Sequence, residues 1–132
     1  MKNVFLSYAD QDAPAAEELA RLLKSRGFAV FIDNEELQPG ENWAHAVGDA
    51  LSNADAMVVL LSPDAVASRS VQREIDFALS ERRFKHRLIP VILRPTRQIP
   101  WILEKQHLIR ASSRHRPAAF RKVADHLAAA SE

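Results

Sequence analysis

One acidic side chain near the middle of the chain combines a helical position with apolar neighbours. Residues 68–81, SRSVQREIDFALSE, have the apolar spacing of an amphipathic helix, with an inward face of Val71, Ile75, Ala78 and Leu79. Glu74 lies directly beside that face. A carboxylate in this position either reaches past the apolar stripe into solvent or performs chemistry, as a proton carrier or as a stabiliser of positive charge.

The elements that must position Glu74 alternate between strands and helices. Five apolar segments predict strands, namely NVFLSY, FAVFID, AMVVLLS, RLIPVIL and HLIRA. The third is apolar throughout, which is typical of a strand buried on both faces. The alternation predicts an α/β fold, a flavodoxin-like five-stranded parallel sheet in the order 2-1-3-4-5 with helices on both faces.

The predicted helices share apolar stripes at helical spacing. The first has Asp12 as its N-cap, Gly27 as its stop, and an inward stripe of Ala16, Leu19, Ala20 and Leu23. The inward residues of the second are Trp43, Val47, Ala50, Leu51 and Ala54, and those of the last are Phe120, Val123, Ala124 and Leu127. These stripes predict helices packed on the sheet.

The carboxyl ends of parallel strands open on one edge of the sheet, and ligands bind there. Polar residues follow each of the first four strands, and they include Ser7, Tyr8, Asp10, the acidic loop 33–41, Ser62, Asp64 and Arg94. Glu74 falls in the first turns of the helix after the third strand. We therefore expect Glu74 to point toward this carboxyl edge.

Composition sets the class of protein. The chain has 132 residues, of which 47% are hydrophobic and 27% charged, so we predict a single domain over residues 1–132, either complete or the N-terminal part of a longer protein. The absence of cysteine excludes disulfides and thiolate chemistry and suits a reducing compartment. No apolar run approaches the roughly 20 residues of a membrane span. We expect a cytoplasmic protein without a membrane partner.

Several kinds of site lack their sequence signature. No glycine-rich phosphate loop is present, and the five histidines show no metal-ligand spacing, so we expect neither a metal nor a bound cofactor. A Ser–His–Asp triad stays open, although no GxSxG motif marks a nucleophile. A phospho-accepting receiver domain would need an aspartate where Ser62 and Pro63 end the third strand.

Charge is divided unevenly along the chain. Residues 1–66 carry 4 Lys or Arg against 11 Asp or Glu, a net charge of −7, whereas residues 67–132 carry 14 against 6, a net charge of +8. This division fits a nucleic-acid face, head-to-tail self-association or scattered solvated charge. No nucleic-acid motif surrounds the basic segment ERRFKHR, so we do not expect nucleic acid as a partner.

Taken in order, these segments resemble a TIR domain (Toll/interleukin-1 receptor type) of the bacterial kind, over residues 3–127. VFLSYADQD is similar to the opening box of that family, and GFAVFIDNEELQPGENW is similar to its second strand and BB loop. ADAMVVLLSPDAVASRSVQREIDFAL resembles the third strand, its Ser-Pro exit and the glutamate-bearing helix, and LIPVIL resembles the fourth strand.

The resemblance implies a role for Glu74. Catalytic TIR domains cleave the nicotinamide–ribose bond of NAD or cyclise the remaining ADP-ribose, with a glutamate in a pattern like S-x-W-[CV]-x-x-E-[LI]. Ser68, Val71, Glu74 and Ile75 fall in register with that pattern. Glu74 is then the catalytic candidate, and NAD is a substrate. Ser70 stands where the pattern has tryptophan.

The resemblance also implies further site residues. The predicted substrate-binding residues are Ser7, Tyr8, Asp10, Leu37, Trp43 and Ser70, and the predicted BB-loop interface consists of Glu36, Pro39 and Gly40. Each has a structural alternative. Ser7 and Asp10 can end a strand and cap a helix, Trp43 can anchor its helix in the core, and the BB loop can be a solvated turn.

Three functions follow as hypotheses. The first is an NAD glycohydrolase or ADP-ribosyl cyclase activated by self-association, in bacterial defence or effector signalling. The second is a non-catalytic adaptor that binds other TIR domains, which the serine at position 70 favours. The third is an enzyme like the nucleoside deoxyribosyltransferases, which also use a glutamate at a sugar carbon.

Overall fold

A computed structural model of the protein describes residues 3–32, 41–106, 108–111 and 114–130, with the backbone alone described at residues 41–44. The predicted BB-loop residues Glu36, Leu37, Pro39 and Gly40, and the side chain of Trp43, lie outside the described residues.

Five parallel strands form a single sheet. They are β1 (Asn3–Ser7), β2 (Ala29–Ile32), β3 (Ala56–Leu61), β4 (Leu88–Ile92) and β5 (Ile109–Arg110). Their order is β2-β1-β3-β4-β5, and every neighbouring pair is parallel. The predicted strand order and the predicted short fifth strand are therefore confirmed.

Within the described ranges, six α-helices lie between the strands or after the last of them. They are α1 (Ala13–Ser25), α2 (Glu41–Asn53), α3 (Pro63–Val66), α4 (Arg69–Ser80), α5 (Trp101–Glu104) and α6 (Arg116–Ala130). Short 3-10 turns precede α1 at Asp10–Asp12 and follow α4 at Arg82–Phe84. Gly27, with φ of +92°, follows the end of α1 in the left-handed conformation that glycine adopts without strain, as predicted. No helix in the described ranges is long and apolar enough to cross a bilayer.

Alternation along β1 assigns its side chains to two separate cores. Val4, Leu6 and Tyr8 pack with α1 and α6 on one face of the sheet. Phe5 and Ala9 pack with residues of α2, α3, α4 and α5 on the other face. Because successive strand residues point to opposite faces, the side chain of Ser7 points to the α4 face.

The apolar stripe of α4 is narrower than the sequence predicts. Val71, Ile75 and Ala78 are buried, but Leu79 is 37% exposed, so its predicted inward position is wrong. At 3.6 residues per turn, Leu79 lies roughly a quarter of a turn from the centre of the stripe. Glu74 flanks the stripe on its other side at a similar angle, yet it is buried.

Arg83 joins α2 to α4. Its guanidinium group donates to the backbone carbonyls of Leu51 and Ser52 in the last turn of α2. The same group lies over the rings of Phe84 and Phe77, 4.9 Å and 5.8 Å from their centroids. Carbonyls at a helix end lack partners within the helix, and a cation there is favourable. Arg83 therefore caps α2 and holds it against the side of the sheet that carries Glu74.

We expect Arg83→Met to lower the free energy of unfolding by about 1–3 kcal/mol, because it removes both hydrogen bonds to α2 and keeps the apolar contact with the rings. Chemical denaturation measures the change, and amide hydrogen exchange should rise first in α2. Arg82→Met is the matched control at an exposed neighbour and should change stability by less than about 0.5 kcal/mol. Equal effects of the two substitutions would contradict the capping role.

Candidate active site at the carboxyl edge of the sheet

The carboxyl group of Glu74 lies at the end of β1, buried beneath the carboxyl edge. The residue is 4% exposed, and its Oε1 accepts a hydrogen bond of 2.6 Å from the hydroxyl group of Ser7. Ser7, the last residue of β1, is completely buried. The expectation that Glu74 points to the tips of the strands is confirmed, and a solvated surface carboxylate is excluded.

Burial of a carboxyl group is costly. Moving a polar group out of water without compensation costs several kcal/mol, and an ionised group costs more. The neighbours of Glu74 along α4 on the buried side, Val71 and Ile75, are apolar. A leucine at position 74, combined with an apolar residue in place of Ser7, would fill such a place without that cost. The fold thus positions an acidic group where stability alone favours an apolar one, which is typical of a functional site.

The first turn of α4 places Ser70 above Glu74. Residues four apart share a helix face, and Ser70 lies one turn closer to the carboxyl edge. Its side chain is exposed. Ser68 is the N-cap, and its hydroxyl accepts a hydrogen bond of 3.3 Å from the backbone N–H of Val71. A local structural role therefore accounts for Ser68, whereas Ser70 presents a small, exposed side chain one turn from Glu74.

The other predicted substrate-binding residues are not all brought together. Tyr8 is 7% exposed and packs in the α1 and α6 core, on the face of the sheet opposite Glu74. Asp10 is exposed at the start of the 3-10 turn. The hydroxyl group of Ser7 already donates to Glu74. Ser7 could contact a ligand only if that hydroxyl group were shared between Glu74 and the ligand.

A second polar cluster ties together the loops after β1, β3 and β4. The carboxylate of Asp12 accepts hydrogen bonds from Ser62 Oγ at 2.5 Å and from Arg94 Nη2 at 2.9 Å. Arg94 Nη2 also donates to Asp64 at 3.0 Å. Asp12 stands at the predicted N-cap position of α1, but its side chain makes no cap hydrogen bond. Its carboxylate instead serves partners on two other loops.

Ser62 and Arg94 each have a second function in this cluster. Ser62 Oγ accepts the backbone N–H of Ala65 at 3.1 Å, and Pro63 follows at the first position of α3, so the Ser-Pro pair starts that helix. The hydrogen bond to Asp64, and then the charge of Asp12, raise the pKa of Arg94 above its ordinary value. Arg94 therefore stays charged and orders the carboxyl edge on the side away from Glu74.

Across residues 3–32, 41–106, 108–111 and 114–130, no group of three or more histidine, aspartate or glutamate side chains could hold a metal ion.

The order of these elements and the whole sequence pattern match a known family. The family model for the TIR domain matches residues 4–128. The chain is a TIR domain.

One relative of this TIR domain has a name that states an activity, and it aligns over part of its length. A protein named 2' cyclic ADP-D-ribose synthase BtTIR, from Bacteroides thetaiotaomicron, is 29% identical over 86 residues, which make up 64% of this chain and 30% of that protein. The alignment thus spans less than a third of that relative.

Solved TIR structures share the fold. The TIR domain of the Toll-related receptor TRR-2 from Hydra magnipapillata superposes with a TM-score of 0.77 at 22% identity, over 97% of this chain and 99% of that one. A TIR-STING receptor from C. gigas, solved in complex with 2',3'-cGAMP, gives a TM-score of 0.74 at 25% identity, over 98% of this chain and 39% of that one. The flavodoxin-like TIR fold predicted from the sequence is therefore confirmed.

The contact between Ser7 and Glu74 predicts energetic coupling. Ser7→Ala and Glu74→Leu should each lower the free energy of unfolding by about 1–3 kcal/mol, because each leaves a buried polar partner behind. The double variant should lose clearly less than the sum, with a coupling energy of about 0.5–3 kcal/mol by chemical denaturation. Ser80→Ala, at an exposed serine of the same helix, is the control and should be additive with Glu74→Leu. Additivity for Ser7 as well would mean that the hydrogen bond contributes nothing.

Proposed function

We propose that this TIR domain cleaves the nicotinamide–ribose bond of NAD, as a glycohydrolase or an ADP-ribosyl cyclase, in the cytoplasm of a bacterium and within defence or effector signalling. The observation that carries the proposal is the buried carboxyl group of Glu74 at the end of β1, in register with the catalytic glutamate of the family. The relative named 2' cyclic ADP-D-ribose synthase supports the same chemistry.

The reaction needs one well-placed carboxylate. When the C–N bond breaks, its electron pair leaves with nicotinamide, which departs as a neutral molecule and needs no general acid. The ribose carbon becomes cationic, and a carboxylate beside the sugar stabilises that charge more in the transition state than in the ground state. Water, or a hydroxyl group of the same ADP-ribose, then bonds to the carbon and loses its proton. Glycosidases use carboxylates in the same way.

Ser7 gives Glu74 a fixed geometry in this scheme. A hydrogen bond from the buried hydroxyl group holds one carboxylate oxygen and leaves the carboxyl group oriented before substrate binds. Pre-orientation of this kind lowers the reorganisation needed during the reaction. Asp10, Leu37 and Trp43 remain proposed contributors to the substrate pocket.

We expect Glu74→Gln to reduce nicotinamide release from NAD by about a hundredfold or more, because it removes the charge and keeps the shape and the acceptor for Ser7. Release is followed by chromatography on concentrated protein. Asp76→Asn, an exposed acid on the same helix, is the matched control and should retain activity. Equal release from wild type and Glu74→Gln would refute the assigned role, and no release even from a fused oligomer would favour the adaptor function.

Position 70 offers a gain-of-function test. We expect Ser70→Trp to lower KM for NAD by about tenfold with little change in kcat, because an aromatic ring at that position can stack on the dinucleotide. Ser70→Leu controls for bulk without a ring and should not lower KM. A rise in KM for Ser70→Trp would mean that the open position admits substrate and does not lack a platform.

Self-association is the proposed switch. A groove of about 660 Å³ lies on the outer side of α4, α5 and α6. Two of the most exposed large apolar side chains in the described ranges, Leu79 and Ile102, line it. The basic side chains around it are Arg82, Lys85, His86, Lys105 and His126, and Glu81 is the acid among its lining residues. An apolar groove with a basic border fits a second copy that presents its acidic half, of net charge −7.

Reversing the charge of the groove should weaken that assembly. The double variant Lys85→Glu/Lys105→Glu is expected to lower the average mass in light scattering at low salt and to reduce NAD cleavage in parallel. Lys24→Glu, in the last turn of α1, introduces the same type of change away from the groove and should leave the mass unchanged. A groove variant that assembles like wild type would exclude this surface.

A further inference from the structure

A second concavity lies at the carboxyl edge, on the face of the sheet opposite Glu74. It has a volume of about 560 Å³ and lies between the start of α1 and the start of α6. Leu93 and Ala15, which line it, belong to the core under α1 and α6, whereas Val71 and Ile75 beside Glu74 belong to the other core. The concavity is therefore separate from the proposed active site.

Arg94 presents part of its guanidinium group to this concavity. Both of its ion pairs, to Asp12 and Asp64, use the same nitrogen, Nη2. Among the residues that the structure describes, Nε and Nη1 donate to no group, and the side chain is 48% exposed. The two carboxylates thus orient the guanidinium group and leave its other donors for a ligand.

A second arginine, Arg116, lines the same concavity. Arg116, the first residue of α6, is half-buried and forms no hydrogen bond or ion pair with any described residue. A cation at the start of a helix is unfavourable by about 0.3–1 kcal/mol, because the N-terminal end of the helix dipole is positive. The stability of α6 therefore gives no reason for an arginine at this position. An anion bound between Arg94 and Arg116 would compensate both.

The remaining walls indicate what that anion carries. Pro14, Leu93 and Pro95 supply apolar surface, and Gln11 supplies an amide. Guanidinium groups bind phosphate oxygens in a forked arrangement, and apolar walls suit a flat ring. A cavity of several hundred Å³ has the size of small-molecule sites. We infer that this concavity binds a nucleotide through its diphosphate, a function that does not depend on cleavage of NAD.

Asp12 and Asp64, the acids beside Arg94, lower the affinity expected for an anion. Asp12 and Asp64 offset part of the charge of Arg94, so the site is built for moderate affinity. Asp64 is the more exposed of the two, with 39% of its side chain accessible against 7% for Asp12. Asp64→Asn should therefore tighten nucleotide binding several-fold, because it removes a negative charge beside the phosphates.

ADP is the probe, titrated into the whole chain by calorimetry and by two-dimensional NMR, with adenosine as the ring without phosphate. We expect saturable ADP binding, with shifts at Gln11, Leu93 and Ala15, and no binding of adenosine. Arg116→Gln should weaken ADP by about tenfold and should not disturb folding, since Arg116 has no partner among the described residues. Glu74→Gln should leave ADP affinity unchanged.

Arg121→Gln removes an exposed cation from the same helix and controls for general charge attraction. Equal weakening by Arg116→Gln and Arg121→Gln would overturn the proposal, as would ADP shifts centred on Ser7 and Ser70, or no binding by about 10 mM. Failure of NAD cleavage would leave these binding results untouched, so the two proposals fail separately.

Discussion

The site depends on a carboxyl group held out of water at the tip of the first strand. Glu74 and Ser7 are 67 residues apart in sequence, and their hydrogen bond fixes α4 against β1 at the point where the sheet ends. Apolar packing of Val71 and Ile75 alone would fix the helix without specifying an acid. The cost of that buried carboxyl group is what marks the site as functional.

The parallel sheet divides polar functions between its two faces. Because successive side chains along β1 point to opposite faces, Ser7 points to the α4 face, while Tyr8 packs in the core under α1 and α6. Ser62 then organises the other side by starting α3 and donating to Asp12. One carboxyl edge thus carries a buried acid on one face and an oriented arginine on the other, each supplied by a different set of loops.

The spacing of apolar residues predicts the strands and helices well, because it depends on which side chains are buried. The inward stripes of α1 and α6 follow from the apolar spacing alone, and the strand order follows from the alternation of strands and helices together with the common flavodoxin-like arrangement. Local rules failed where a side chain has a distant partner. Asp12 has the position of a helix cap, yet its bonds go to residues 50 and 82 positions away. The four-residue helices α3 and α5 are too short for a periodic signal. The role of Glu74 came from resemblance, and its contact with Ser7 from the structure.

The most direct test of the account is a crystal structure of the protein with a non-cleavable NAD analogue. If Glu74 acts on the sugar, one of its carboxylate oxygens will lie about 2.6–3.2 Å from a hydroxyl group of the nicotinamide-side ribose, and the Ser7 hydroxyl will still donate a hydrogen bond to the other oxygen. An analogue bound elsewhere, with Glu74 still covered and without contact to the sugar, would contradict the account.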